Sequence, residues 1–375
     1  MRRIQICAIA ALAALALSGR AVEARELKAA IGLGPKHPVV AAAYPAFAAE
    51  VENRTNKAIT VKVFPGGVLL PLRGALPGLR DGVADLATMI FTYFPGELRT
   101  AQVVGELANL GKSNSAMSGA TAEFLFLNCP ACQSEFSAQR TVVLSPYGVT
   151  PYVILSKTKI TTLAEIAGKK IRSGGGSYSN WAKFVGATDV NIPVDEMYEA
   201  FSAGVIDAGV QTEAGLRAYN FWDTSKHVTQ IPLGIFSAAS IFSASQVMWQ
   251  SLTPAERKAL LSGAAAGLVA QIKAYDEDVS TVIEPAKQRG VQFYQPAPDL
   301  VAKTAEFDEI TVRDVTKLLA EKYNVVDAEK LVATYKQLIQ KWNALTKPIE
   351  TDYAALLAVF NREVYDKMDS AKYGM

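Results

Sequence analysis

Histidine is nearly missing from the chain, which holds only His37 and His227 in 375 residues. With no His-Glu-x-x-His and no Gly-x-Ser-x-Gly, there is little material for a zinc site or a hydrolase triad. Gly174, Gly175 and Gly176 are not followed by the Lys-Ser/Thr of a phosphate loop. A dinucleotide turn at Gly32-Leu33-Gly34 lacks its third glycine, which is His37, and the nearby Glu50 and Glu52 fall in a predicted helix. These gaps point away from catalysis, and neither a cofactor nor a metal is expected. No block of lysine or arginine interleaves with aromatics, so the footprint of a nucleic-acid binder is missing too. Beyond the N-terminus no uncharged apolar run reaches the roughly 18 to 20 residues that a spanning helix needs.

What is present begins with a leader. Arg2 and Arg3 precede an apolar run from Ile4 to Leu17, and Val22 and Ala24 occupy the small-residue positions of a cleavage site. Residues 1–24 read as a secretory signal peptide. Cys7 lies inside the apolar run, so it does not mark a lipid-bearing mature terminus. Removing the leader takes away three basic residues and one acidic one, leaving 35 of each sign from 38 and 36. A formally neutral chain of this length, half apolar in composition, suits two ordinary globular lobes. Of the cysteines only Cys129 and Cys132 then remain, in Asn128-Cys129-Pro130-Ala131-Cys132. Two readings compete there, a short structural disulfide and a redox Cys-Pro-x-Cys site, and the helical look of the preceding AEFLFLN favours the first.

Hydrophobic periodicity gives an alternating βα pattern. ELKAAIGLG reads as a first strand, and Tyr44, Phe47 and Val51 form a helical stripe. Ile59, Val61 and Val63 alternate as a half-buried strand, Leu72, Leu76, Leu79 and Val83 make a second stripe, and LATMIF closes a βαβ unit. YGVTPYVILS, from Tyr147, marks a crossing into a second lobe, and His227 to Ser240 marks another. Ser251-Leu252-Thr253-Pro254-Ala255-Glu256 carries a capping box and a first-turn proline, so a helix of some 30 residues, roughly 45 Å, starts there. VQFYQ reads as a strand, and three more helices fill Asp299 to Met368. Gly82-Val83-Ala84-Asp85 and Gly204-Val205-Ile206-Asp207 punctuate two helix-to-strand junctions in the same way, which suggests two similar lobes.

The stretch Gly168 to Gln211 reads as strand, glycine turn, helix, strand, helix, strand, with Arg172 at a strand end. Ligands of parallel α/β sheets sit beyond the carboxyl ends of the strands. Arginine's planar fork supplies both charge and directed donors to a carboxylate, and the helix that opens at Ser177 adds N–H groups. Other wall candidates by position are His37, Thr88, Tyr93, Tyr152, Trp181 and Phe236, whose aromatic character suits a solute with an apolar or aromatic body. Asp195, Glu196 and Tyr198 read as a helix start.

The run Gly-Lys-Lys-Ile-Arg ending at Arg172, then GATDVNIP, then DEMYEAFSAGVIDA, resembles the solute-binding proteins of tripartite ATP-independent periplasmic (TRAP) transporters. Gly34-Pro35-Lys36-His37-Pro38, the segment Phe47 to Thr55, Val61-Lys62-Val63-Phe64-Pro65-Gly66-Gly67 and the two Gly-Val-x-Asp junctions are similar to that family in order and spacing. The resemblance covers roughly residues 27 to 345. It implies an α/β, two-lobed periplasmic binding protein with a hinge and a long bracing helix. Lobe I would hold 25–150 with about 236–270, lobe II 151–235 with about 271–325, and 326–375 would be C-terminal helices. It implies a periplasmic, non-enzymatic protein that closes on an organic acid and delivers it to a TRAP membrane permease driven by an ion gradient. Arg172 matches the family's carboxylate anchor. Where the family commonly has asparagine this chain has Gln211, an amide with one more methylene, and Thr212 and Glu213 beside it argue against assuming a dicarboxylate. The oligomeric state is not implied.

Overall fold

The computed structural model describes residues 24–375; the expected leader apart from Ala24, and Cys7 with it, lies outside them. In chain order the strands are β1 (Arg25–Ala30), β2 (Ile59–Phe64), β3 (Leu86–Ile90), β4 (Thr141–Val143), β5 (Val153–Ser156), β6 (Lys170–Ser173), β7 (Thr188–Asn191), β8 (Ala208–Gln211), β9 (His227–Thr229), β10 (Ala239–Ser245) and β11 (Gln292–Tyr294). They form two sheets, ordered β2-β1-β3-β10-β4 and β11-β9-β5-β8-β6-β7. In each, parallel βαβ strands form one side, β1 with β2 and β3, and β6 with β7 and β8. Antiparallel strands that arrive from the other part of the chain complete it.

The repeated Gly-Val-x-Asp junction is one device built twice. Gly82 and Gly204 take φ of 74° and 73°, a left-handed turn open to glycine at little cost. The following valines, Val83 and Val205, are 48% and 49% exposed. Val83 therefore falls past the helix that its stripe was expected to extend, whereas Leu72, Leu76 and Leu79 are buried. Asp85 Oδ2 then accepts the Lys28 N–H at 2.8 Å, and Asp207 Oδ2 accepts the Lys170 N–H at 2.9 Å. Each aspartate thus ties its strand's entry to the neighbouring parallel strand.

The chain passes between the sheets through 144–152 and 230–238. These crossings hydrogen-bond to each other, Tyr152 N–H to Gly234 O and Leu233 N–H to Tyr152 O, both at 2.9 Å. Gly234 has φ of 92°, and a Cβ there would come within 2.3 Å of Ala108 O. The paired crossings are thereby seated on lobe I.

The helix Pro254–Gln288 braces both lobes. Thr253 and Glu256 form the expected capping box, and the helix runs 35 residues, about 52 Å at 1.5 Å per residue. Gly263 and Gly267 let it lie against Val51 and Phe242 of lobe I. It continues through Pro285, which has no N–H to give to Thr281 O. Arg217 of lobe II fills that gap, donating to Thr281 O at 3.0 Å and pairing with Asp278 at 2.6 Å. Of the remaining helices, Pro298–Tyr323 touches both lobes and Ala328–Thr346 packs on Asn114–Glu123, where Trp342 donates to Glu123 at 2.7 Å. Cys129 and Cys132 are joined as a disulfide at the start of Pro130–Ala138, and both are fully buried, which leaves no sulfur exposed for exchange.

Candidate functional site

A cavity closes between the lobes beyond the carboxyl ends of β3, β6 and β8. Its walls include Tyr93, Tyr147, Tyr152, Arg172, Gln211, Tyr219 and Phe236. In this closed form it offers the centre of a water molecule about 20 Å³, room for one or two waters.

Arg172 is the only charged group among these walls, and it is 1% exposed. The pairing of Arg172 with Gly209 across β6 and β8 places it mid-sheet. Its Nε donates to Ile192 O at 2.9 Å and its Nη2 to the Tyr93 hydroxyl at 3.0 Å. Both acceptors are neutral, and no carboxylate lies within ion-pair distance among the described residues. A buried cation with no counter-charge carries a desolvation cost that an incoming anion offsets. Tyr93 is equally poised. Its oxygen also accepts the Val194 N–H at 3.0 Å, so both lone pairs are used and its own proton is free to point elsewhere. Gln211, the last residue of β8, turns its Oε1 to the Thr212 N–H at 2.8 Å.

Aromatic rings form the remaining wall. Tyr152 and Phe236 stack 5.9 Å apart at 4°, and Tyr147 meets Phe236 edge-on at 6.4 Å. All three belong to the crossings, so the wall stands on the hinge. Burial pushes the Tyr93, Tyr147, Tyr152 and Tyr219 hydroxyls upward, which keeps them neutral and leaves Arg172 to set the local charge.

His37 sits behind this wall rather than in it. Burial holds its pKa down at about 3. Nδ1 accepts the Val39 N–H at 3.1 Å, which leaves the proton on Nε2, facing the Tyr275 hydroxyl at 3.0 Å and that of Tyr147 at 3.2 Å. The imidazole links the loop after β1, a crossing and the long helix, and supports the cavity from beneath.

Three other expected site residues also lie outside the cavity. Thr88 donates to Ile241 O at 3.0 Å inside the first sheet, because its face of β3 is turned to the core. Ser177 and Trp181 line a second, smaller cavity under the helix Pro298–Tyr323, where Trp181 donates to Thr304 at 3.1 Å. Arg172, Gln211, Tyr93, Tyr152 and Phe236 do come together. Tyr147 and Tyr219 join them without having been expected. Tyr147 begins the segment read as a crossing, a placement that carried the clue, whereas Tyr219 has no local signal.

The glycine turn after β6 serves closure rather than holding a phosphate. Gly174 O accepts the Thr92 hydroxyl at 2.5 Å. Gly176, at φ of 61°, lies so near lobe I that a Cβ would stand 2.6 Å from Gly105 O. Leu72 N–H reaches Asp195 at 3.3 Å, and Asn180 reaches Glu106 at 2.7 Å, across the same seam.

Two lobes joined by paired crossings, with a cavity between them, define a hinged solute-binding protein. The model of the bacterial extracellular solute-binding proteins, family 7 (DctP), matches residues 29–322, and the chain belongs to that family. Its members are solute-binding proteins rather than enzymes. A solute-binding protein of Albidiferax ferrireducens is 26% identical over 186 residues, 49% of this chain and 53% of the relative, so this chain spans about half of that protein's length. The crystal structure of a marine metagenome TRAP solute-binding protein specific for aromatic acid ligands, in complex with metahydroxyphenylacetate, is 22% identical. It has a TM-score of 0.74 and covers 85% of this chain and 99% of its own. A TRAP solute-binding protein of Rhodoferax ferrireducens in complex with copurified benzoate is 20% identical, with a TM-score of 0.74 over 86% of this chain and 99% of its own. At these identities the likeness speaks to the fold. Among the described residues no helix is long and apolar enough to cross a membrane.

Proposed function

We propose that the chain binds an organic acid with one carboxylate and an aromatic or apolar body, in the periplasm, and delivers it to a TRAP permease. The observation that carries this reading is the buried, unpaired guanidinium of Arg172 facing a cavity otherwise walled by neutral aromatics. The carboxylate sits on Arg172 with the Tyr93 hydroxyl as second donor, Gln211 lies to one side, and the ring stacks against Tyr152 and Phe236. Two similar structures are named for aromatic acids or hold benzoate, which supports the same solute class. Since the closed cavity has room for a water or two, a ring enters only when the lobes part, and the interlobe contacts re-form around it.

Thermal unfolding of the mature chain against benzoate, 3-hydroxyphenylacetate, their amides and succinate tests the proposal. An acid present at a hundred times its Kd stabilises the fold by about 2.7 kcal/mol. At least one aromatic monocarboxylate is expected to raise the Tm while its amide does not. Equal shifts by acid and amide, or no shift with any acid, would overturn it.

A further inference from the structure

The second cavity stands behind the aromatic wall. Asn109 of lobe I faces it from one side, Ser177 and Tyr178 of lobe II from another, and Thr304 and Asp308 close it. It offers the centre of a water molecule about 10 Å³, close to the room that one water needs. Asn109 Oδ1, Ser177 Oγ and the Tyr178 hydroxyl are buried there without a hydrogen-bond partner among the described residues. Their side chains belong to residues only 5%, 1% and 1% exposed. Part of the surroundings is already committed. Asn109 Nδ2 donates to Asp308 Oδ1 at 2.8 Å, which fixes the amide's orientation, and Trp181 spends its N–H on Thr304. Three such groups around one small void are unusual in a folded interior, where buried polar atoms are nearly always paired.

We propose that this cavity is a binding site for a single water molecule that bridges the two lobes. One water answers all three groups: it donates to Asn109 Oδ1 and accepts from the Ser177 and Tyr178 hydroxyls. Burial raises the Tyr178 pKa, in keeping with a hydroxyl that holds its proton and donates it. Because Asn109 belongs to one lobe and Ser177 and Tyr178 to the other, the site is complete only when the lobes are together. It also steadies the main cavity, since the Tyr178 ring packs 4.7 Å from Tyr152 and 6.3 Å from Phe236. The water is a structural member of the closed form, whichever solute that form encloses.

A crystal structure of the closed protein, at a resolution that orders internal waters, is the first test. One water within hydrogen-bond distance of Asn109 Oδ1 and of at least one of the two hydroxyls is expected. A dry cavity, or a water bonded to one lobe alone, overturns the proposal. Thermal unfolding of Tyr178→Phe and Ser177→Ala, as purified, is the second. Each variant takes a partner from a water that stays, so each is expected to melt below the wild type. A Tyr178→Phe chain that melts at or above the wild-type temperature overturns the proposal, because deleting an unpaired hydroxyl from a dry site removes a penalty. Neither reading requires the proposed organic acid to be correct.

Discussion

Arg172→Met distinguishes a solute anchor from a structural arginine by what it does to the solute-free protein. Methionine keeps an unbranched, adaptable side chain and removes the guanidinium. With the lobes together that guanidinium is 1% exposed and bonded only to Ile192 O and the Tyr93 hydroxyl. Burying the charge costs several kcal/mol, and each hydrogen bond from a charged group returns about 1.5–3 kcal/mol. The substitution removes both. Ile192 O loses this donor, while the Tyr93 oxygen keeps the Val194 N–H at 3.0 Å. The net change in solute-free stability is therefore expected within about 1 kcal/mol of zero, or in the variant's favour. Binding is different, because removing one partner of a buried, hydrogen-bonded charge pair costs roughly 2–5 kcal/mol. That corresponds to a Kd raised from about 30-fold to several thousand-fold. Urea unfolding of protein stripped of solute by denaturation and refolding gives the first quantity, and calorimetric titration with the stabilising acid gives the second. A variant that loses 3 kcal/mol or more of solute-free stability while binding the acid as before would make Arg172 a structural residue and refute the assignment.

Three further outcomes are expected. His37 stays neutral when folded down to about pH 3, whereas in the unfolded chain it takes a proton near its ordinary 6.5. Its contribution to stability is therefore full above pH 6.5 and is lost as pH falls from 6.5 towards 3, by roughly 5 kcal/mol in all; the difference between wild-type and His37→Gln stabilities, followed by urea unfolding across this window, should shrink with falling pH, and a flat difference would argue against a buried neutral ring. Gly176→Ala sets a Cβ 2.6 Å from Gly105 O, a contact made only when the lobes meet, so faster solute release and at least about tenfold weaker affinity are expected in stopped-flow; Gly186→Ala, which also has positive φ but open space, carries the backbone strain of about 1 kcal/mol and should release solute at the wild-type rate. The Cys129–Cys132 bridge closes a loop of four residues, for which loop-closure entropy gives about 2 kcal/mol; the double serine variant should lose no more than about that in chemical unfolding and leave solute affinity unchanged, and a lost affinity would tie the bridge to the site.

What the sequence made legible follows from how local each signal is. The alternation of Ile59, Val61 and Val63 and the Thr253 to Glu256 capping box are written within a few residues, and both appear as read. Arg172 was legible because the end of a parallel strand is a place where a charge has few reasons to be buried. Thr88 was not, because all five residues of β3 are buried; with both faces of the strand covered, alternation cannot tell which face meets the cavity. Ser177 and Trp181 were misplaced for a related reason. The direction of their helix is set by Gly175 and Gly176 at positive φ, and glycine permits many directions. Tyr147 and Tyr219 are brought to the wall by the docking of the crossings and of the second lobe, a long-range outcome that no short pattern records.

The turn Phe91–Tyr93 ties the proposed anchor to the closure of the lobes. Thr92 bonds to Gly174 O, and Tyr93, the next residue, accepts from Arg172 and from Val194. One short turn of lobe I therefore holds both the glycine seam and the proposed anchor of lobe II. Parting the lobes would expose Arg172 to water and take both donors from Tyr93. With the lobes together and no anion, the guanidinium is buried with neutral acceptors only. A carboxylate bound as proposed would offset the burial of Arg172 and accept a hydrogen bond from the Tyr93 hydroxyl, and so would stabilise the closed arrangement more than the open one, which is the differential affinity that a solute needs to shift such an equilibrium. The glycines let the backbones meet without a side chain between them, and the charge of the solute adds to the interlobe hydrogen bonds that hold the lobes together. A neutral amide of the same shape should fill the cavity and yet fail to hold the lobes together.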